Sequence, residues 1–422
     1  MHSVTNAIPT GTIASIPAKA HAHRALICAA LATSPSTILL SRTSKDIDAT
    51  MDSLRGLGAH VVYENKVVTV TPGPASAKGN VVPHESGTTL RLLLPVAASI
   101  CNDVDVDAKG RLPDRPLEPM LGEMKAHGVT FSQDKPPFTM TGRLQGGNFS
   151  MVGDVSSQFF SGLLLAAPQI GLSTITSTTP LQSSDYVTLT TETMRDFGVE
   201  VEHTLPSTNI NEAFTVPFGA SFIGCDNYQI EGDWSNAAIW MVAAGMTGKP
   251  ITITGMNKNS VQADRRIMQV MIDAGCDVVW DGMNVTVTGR ASKPIHVDLE
   301  QMPDMLPVMA ALACSISGES SFVKGARLRL KESDRLVAVA NLVRDLGGTV
   351  REEGDDLYII GSGILKGGHG DCVNDHRLVM AGTLMALISE NPVTLQDSEA
   401  ITKSYPHFFE DWNLLGGNAQ LV

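Results

Sequence analysis

Three arginines sit where helix capping cannot account for them. Arg24, Arg91 and Arg377 stand at the starts of apolar segments with helical character. The positive dipole end of a helix disfavours a cation there. An anion held jointly by the arginine and the free N–H groups of the helix start would resolve the conflict. The corresponding starts also carry Lys19, Ser156-Ser157-Gln158, Ser235-Asn236, Asp304 and Asp375-His376, of which the serines and aspartates read first as N-caps. More basic residues cluster in short loops. RLPDRP (111–116) contains Arg115, RLRLKESDRL (327–336) contains Arg327, Arg329, Lys331, Glu332 and Arg335, and TKSYP (402–406) contains Lys403. Singly, each is an ordinary solvated charge. Together, ahead of equivalent helices, they point to a pocket for more than one anion. Arginine grips carboxylate and phosphate through paired hydrogen bonds, which fixes orientation as well as charge.

The elements that must position these residues form a repeat. Amphipathic segments end at Gly58, Gly128, Gly198, Gly275, Gly347 and Gly416, at intervals of 70, 70, 77, 72 and 69 residues. Glycine suits the position just past a helix, where the chain turns through positive φ. After the first five, a strand, a turn and a second strand follow. A more apolar helix recurs between them, near 22–34, 88–100, 156–170, 235–248, 304–318 and 375–389. Each unit reads strand, apolar helix, strand, amphipathic helix, strand, strand, which predicts an α/β architecture. Six units divide into three and three, with the longest interval at the crossover. The expected domains are 18–228 and a discontinuous pair of segments, 1–17 with 229–422. The last unit lacks closing strands before Val422, so GTIASI (11–16) is expected to complete it. The six polar helix starts could then line one cleft between the domains.

Bulk properties narrow the function. Basic residues number 31 against 44 acidic ones, a net charge of −13. That disfavours a nucleic-acid partner but not a small anion in a local basic pocket. Six cysteines form no C-x-x-C pair and several lie in apolar runs, the usage of a reducing compartment rather than of a disulfide framework. No signal-peptide pattern opens the chain, and no run approaches 18 uninterrupted apolar residues; the expected location is the cytoplasm, with no membrane partner. No G-x-x-x-x-G-K-[ST] loop occurs, and Gly361-Ser-Gly363 lacks dinucleotide spacing. His369, Cys372 and His376 have metal-like spacing without a fourth ligand, and His21 and His23 have no partners in sequence. Nothing here calls for a metal or a redox cofactor.

One series of motifs runs through the whole chain in order: Lys19-x-x-x-x-Arg24, SGTTLR (86–91), DRP (114–116), GDVSSQF (153–159), Pro303-Asp304, KESDR (331–335), NDHR (374–377) and KSYP (403–406). This series resembles the EPSP synthase family of enolpyruvyl transferases. The resemblance implies a two-domain inverted-cup fold, each domain built from three repeated βαβαββ units around a cleft. It implies transfer of the enolpyruvyl group of phosphoenolpyruvate to the 5-hydroxyl of shikimate 3-phosphate, with loss of phosphate through a tetrahedral intermediate. By position, phosphoenolpyruvate would meet Lys19, Gly87, Arg115, Gln158, Arg335, Arg377 and Lys403. Shikimate 3-phosphate would meet Lys19, Ala20, Arg24, Ser156, Ser157, Gln158, Ser183, Tyr186, Asp304 and Lys331, with Arg91 in support. Asp304 is the candidate base for the acceptor hydroxyl, Glu332 and Lys19 the candidates for proton delivery and removal at the methyl carbon, and His376 a helper near the donor.

The sequence departs from the family at four places. Ala18-Lys19-Ala20 replaces a usual S-K-S, Glu85 stands where asparagine is common, and Arg327 replaces another asparagine. Loss of one hydroxyl to a charged group costs roughly 1.5–3 kcal/mol, so acceptor affinity is the property at stake. Two other readings compete: enolpyruvyl transfer to a different acceptor such as a UDP-sugar, and a non-catalytic anion-binding relative. Nucleotide-sugar enzymes of this fold carry a reactive cysteine near the position of Arg115, and this chain has none there. The protein is expected to be a monomer. Because two anionic substrates repel, its cleft is expected to be open when empty and to close on binding.

Overall fold

The computed structural model describes residues 1–207 and 211–422. Among them are six four-stranded sheets, one for each repeat. All six are knit in one order. An edge strand lies parallel to the strand that follows the apolar helix; that strand pairs antiparallel with a third, which pairs with a fourth at the other edge, and the last two form a hairpin in five copies but come from opposite ends of the chain in the sixth. In the third copy Gly147–Met151 runs parallel to Ser173–Ser177, which pairs with Glu212–Val216, which pairs with Glu202–Thr204. The six glycines that end the amphipathic helices have φ between 86° and 114°, a region that side-chain-bearing residues enter only with strain.

The chain divides into two compact units, Pro17–Ile230 and Met1–Ile16 with Glu231–Val422. In the first, the helices Lys19–Ala30, Gly87–Ile100 and Ser157–Ile170 pack together; in the second, Trp234–Thr247, Leu306–Ser315 and His376–Met385 do. A helix apolar all round belongs inside, and every residue of Leu306–Ser315 is buried. The sheets alternate, as strands with one wet face must: Val68 and Val70, like Val285 and Val287, turn inward while their neighbours do not. Each unit has its own aliphatic core. Gly162 sets the closest helix contact. A Cβ there would stand 2.5 Å from the Arg91 carbonyl oxygen, so only glycine lets Ser157–Ile170 lie directly on the backbone of Gly87–Ile100.

Two expectations need correction. GTIASI does not close the last copy. Gly11–Ala14 is the parallel edge partner of Ile251–Thr254, and His2–Val4 closes the last copy, between Val393–Gln396 and Ala419–Leu421. Direction explains this. In every copy the strand that feeds an apolar helix takes the parallel edge, whereas the closing position is antiparallel. Gly11–Ala14 feeds Lys19–Ala30, so only the parallel place suits it. Tyr228–Gln229, which feeds Trp234–Thr247, correspondingly pairs parallel with Ser36–Leu39. The last copy also has the edge strand Ala419–Leu421, paired with His2–Val4, where no closing strand was expected. Second, the first apolar helix is Lys19–Ala30 rather than 22–34, because Ser34-Pro35 stops it early. Arg24 and Arg91 therefore lie in the second turn of their helices, and only Arg377 is in a first turn. Among the described residues, no helix is long and apolar enough to cross a membrane.

Candidate active site

In the Pro17–Ile230 unit the chemistry gathers at the N-terminal ends of the three packed helices. Lys19 opens the first helix, and its Nζ donates to Asp46 Oδ2 at 2.8 Å. Asp46 lies in the first turn of Lys45–Gly56 and was not among the residues expected from sequence. Behind it runs a chain of buried hydroxyls. Thr89 Oγ1 is 2.8 Å from Ser86 Oγ and 2.7 Å from Thr50 Oγ1, which is 2.7 Å from His23 Nδ1. Burial, with Lys19 and Arg24 nearby, pushes the His23 imidazole well below its ordinary value. His21 is also held down by burial, to about 4, with Arg24 adding to the effect and Asp196 opposing it. Tyr228 donates its hydroxyl to Asp196 at 2.8 Å and takes a hydrogen bond at 2.7 Å from His21 Nε2. Both histidines are neutral structural groups.

Arg24 is 1% exposed and is held by neutral acceptors: Thr190 Oγ1 at 2.7 Å, the Ala20 carbonyl at 2.7 Å, the Tyr186 carbonyl at 2.9 Å and Ser161 Oγ at 3.2 Å. Burial lowers its pKa to about 10, so it stays charged at neutral pH. Four of five N–H groups are so used: two reach Asp185–Asp196, one reaches Ser161 in Ser157–Ile170 and one the Ala20 carbonyl of Arg24's own helix, which leaves one for a ligand. Ser183 opens that second segment with φ 54° and is 2% exposed. Ser156 is an N-cap that accepts from the Gln158 amide at 3.3 Å, and Ser157 begins the helix behind it. Ala18, by contrast, offers no side-chain cap to Lys19–Ala30, the local result of losing the family's serine.

Gln158 knits the helix starts together. Its Nε2 donates to Thr88 Oγ1 at 2.9 Å, and its Oε1 accepts from Arg91 Nη1 at 3.1 Å. Arg91 Nη2 reaches the Pro116 carbonyl at 3.1 Å, and its guanidinium lies 5.5 Å from the centre of the Phe159 ring. Arg91 thus fixes the loop that presents Arg115. A Cβ on Gly87 would stand 2.6 Å from Arg115 Nη1, so the guanidinium rests against bare backbone. Gly87→Ala is expected to displace Arg115 without unfolding the protein, because the clashing atoms end a flexible side chain. The KM for the anionic donor should rise by about tenfold, the loss of one charge-assisted hydrogen bond, with a stability change under about 1 kcal/mol. Steady-state kinetics beside a thermal melt would check it; an unchanged KM would free Arg115 of this role.

In the other unit the centre is Arg335, 1% exposed. Its Nε donates to Asp375 Oδ2 at 2.8 Å and its Nη2 to Asp375 Oδ1 at 3.2 Å; Nη2 also reaches Glu332 Oε2 at 2.6 Å, and Nη1 reaches Asp304 Oδ1 at 2.6 Å. One guanidinium therefore orders three carboxylates. Asp375 is fully buried and also caps its helix by accepting from the Arg377 amide at 3.0 Å. Lys331 Nζ lies 3.2 Å from Asp304 Oδ1. Burial opposes ionisation of Asp304, but Lys331, Arg335 and Arg377 outweigh it and hold the carboxyl far below the usual range. Burial lowers the Lys331 ammonium, and Arg327 beside it acts in the same direction while Asp304 resists. The replacement at 327 thus adds a cation next to Lys331. Arg329 turns away to Asp355 and Asp334.

Arg377 is 5% exposed, yet its guanidinium is little used: Nη1 makes one long hydrogen bond of 3.4 Å to the Ser235 carbonyl, and Nε has no hydrogen-bond partner among the described residues. Its guanidinium keeps capacity for an incoming anion. Lys403 Nζ donates to the Asn374 carbonyl at 2.7 Å, and His376, 2% exposed, has Nδ1 3.8 Å from Asp375 Oδ1. Asp264, absent from the sequence reading, accepts from Ser235 Oγ. Its only signal was an acidic residue beside two arginines in ADRR (263–266). Among the described residues no group of three or more His, Cys, Asp or Glu could hold a metal ion.

A family model described as EPSP synthase (3-phosphoshikimate 1-carboxyvinyltransferase) matches residues 7–412. The 3-phosphoshikimate 1-carboxyvinyltransferase of Clostridium kluyveri is 36% identical over 413 residues, covering 96% of this chain and 95% of that protein. The enzyme of the same name from Methanocorpusculum labreanum is 34% identical, covering 97% of both chains. The solved structure of EPSP synthase from Acinetobacter baumannii superposes with a TM-score of 0.80 at 22% identity, over 100% of this chain and 99% of that one. It supports the fold.

Proposed function

The chain belongs to the EPSP synthase family, and from that premise we propose how its residues share the work. It is a transferase that moves the carboxyvinyl group of phosphoenolpyruvate to shikimate 3-phosphate, a step of the shikimate pathway. In the reading we favour, the acceptor's 5-hydroxyl attacks C2 of the enol while C3 takes a proton. The tetrahedral adduct then loses phosphate and one methyl proton, which restores the double bond. Arg115, Gln158 and Gly87 in one unit, and Arg335, Arg377 and Lys403 in the other, serve the donor. Arg24, Ala20, Ser156, Ser157, Ser183 and Tyr186, together with Lys331 and Asp304, serve the acceptor.

Asp304 receives the acceptor's hydroxyl hydrogen bond. Held low by its cations, it is a weak base in the empty protein and takes the proton only as the new C–O bond forms. Glu332, fixed by Arg335, and Lys19, fixed by Asp46, handle the proton at the methyl carbon, the work of general acid–base groups held on ordered elements. The cations stabilise phosphate as it leaves. His376 stands beside the donor arginine. The observation that carries this reading is burial: in a chain of net charge −13, Arg24, Arg91, Arg335, Arg377 and Lys403 are each 9% exposed or less. Cations buried this deeply are costly unless they meet anions. We take the protein to work as a monomer in the cytoplasm, where its six free thiols would persist. The test is phosphate release from phosphoenolpyruvate. It should require shikimate 3-phosphate and yield a product heavier by the enolpyruvyl group; release with a UDP-sugar instead would overturn the acceptor assignment.

A further inference from the structure

We propose that Asp264 is a positioning residue for Arg377, acting through Ser235, and that its charge sets how firmly Arg377 holds the phosphorylated donor. Three observations carry this. Ser235 Oγ donates to Asp264 Oδ2, while the carbonyl of the same serine accepts from Arg377 Nη1 at 3.4 Å. Asp264 is 1% exposed, and its second oxygen, Oδ1, is buried with no hydrogen-bond partner among the described residues. A buried carboxylate left half satisfied is costly, and its retention beside an arginine that is itself underused marks a working pair. The inference rests on the reading that Arg377 binds the donor.

The charges that face Asp264 come from three elements: Arg377 from its helix, Asp304 from the short turn before Leu306–Ser315, and Asp233 from the cap of Trp234–Thr247. Burial raises the Asp264 carboxyl to about 6; Arg377 opposes that, while Asp304 and Asp233 add to it. Above that pH the group is ionised and draws on the Arg377 charge from behind. Below it, Asp264 is neutral, and the guanidinium offers its whole charge to the donor. Either form of the carboxyl can accept from Ser235, so the serine stays in place throughout.

The test compares kcat and KM for phosphoenolpyruvate from pH 5 to 8 in wild type, Asp264→Asn, Asp264→Ala, Ser235→Ala and Arg377→Gln. Asparagine keeps an acceptor for Ser235 and removes the charge. Asp264→Asn should hold kcat within about threefold, and the ratio of wild-type to variant KM should climb as pH rises through 6; using the ratio cancels the donor's own titration. Ser235→Ala should raise KM about tenfold at every pH, since the anchor is gone; Asp264→Ala should do so at pH 5 and less at pH 8, because it also removes the charge. A flat ratio for Asp264→Asn with normal KM values for both alanine variants would overturn the proposal. Should Arg377→Gln leave the donor KM unchanged, the donor assignment itself fails, which is a different outcome. Melting curves for each variant separate these results from simple unfolding, and a folded Asp264→Asn suffices to decide the matter.

Discussion

Replacing Arg335 with methionine is expected to destabilise the protein by about 3–5 kcal/mol at neutral pH and to abolish turnover, because removing one partner leaves the others as uncompensated buried charges. Three acids lean on this one cation, with Lys331 as a second partner for Asp304 and Ser333 a neutral one for Asp375. Asp375 is wholly buried and takes two of its hydrogen bonds; Asp304 and Glu332 take one each at 2.6 Å. Methionine keeps an unbranched apolar stem, shorter than that of arginine, and supplies no donor. The cost should also depend on pH in a defined direction. In the wild type Asp304 is held far below its ordinary value of 3.8. Its contribution is therefore present above pH 4 and is lost as pH falls further. Without Arg335 the carboxyl takes up a proton more readily, so the gap between variant and wild type should narrow on acidification. Urea titrations at pH 7 and pH 4 would measure it. A variant as stable as wild type at pH 7 would mean that the acids have other partners.

Glu332→Gln is expected to lower kcat by about 10²–10⁴, the range for loss of a general acid or base, while the fold survives. The glutamine oxygen can still accept from Arg335, and Asp375 and Asp304 still hold that arginine, so the stability loss should stay below roughly 1.5–3 kcal/mol, the worth of a whole charged hydrogen bond. KM for both substrates should move little, because the proton is transferred only during reaction. A drop in kcat confined to less than tenfold would remove Glu332 from the proton path and leave Lys19 as the group to examine.

The repeat was legible because it is written locally. A helix that ends at a positive-φ glycine and runs into a hairpin announces itself within about 25 residues; all six glycines have positive φ, and the first five lead into hairpins. Arg377 was legible for a related reason, since its type conflicts with its place in the first turn of a helix, whereas Arg24 and Arg91 lie a turn further in. What could not be read depends on contacts between distant segments. His2–Val4 pairs with Val393–Gln396, almost the whole chain away, and three residues of modest apolarity carry no mark of that partner. Asp46 and Asp264 looked like ordinary first-turn or surface acids; only folding shows that one holds Lys19 and the other meets Ser235. Arg24 illustrates a subtler gap. Its type and position pointed to a ligand, yet most of its donors serve Thr190, Ser161 and two carbonyls. A positional resemblance cannot divide one guanidinium between structure and substrate.

The account turns on both units acting on one donor. Its most direct test is kcat/KM for phosphoenolpyruvate in Arg115→Ala and in Arg377→Gln, measured by phosphate release at saturating shikimate 3-phosphate. Each arginine belongs to a different unit, and each should cost roughly 10- to 100-fold, the worth of a charge-assisted hydrogen bond. If either variant retains wild-type kcat/KM for the donor while folding normally, donor binding belongs to one unit alone and the account is wrong.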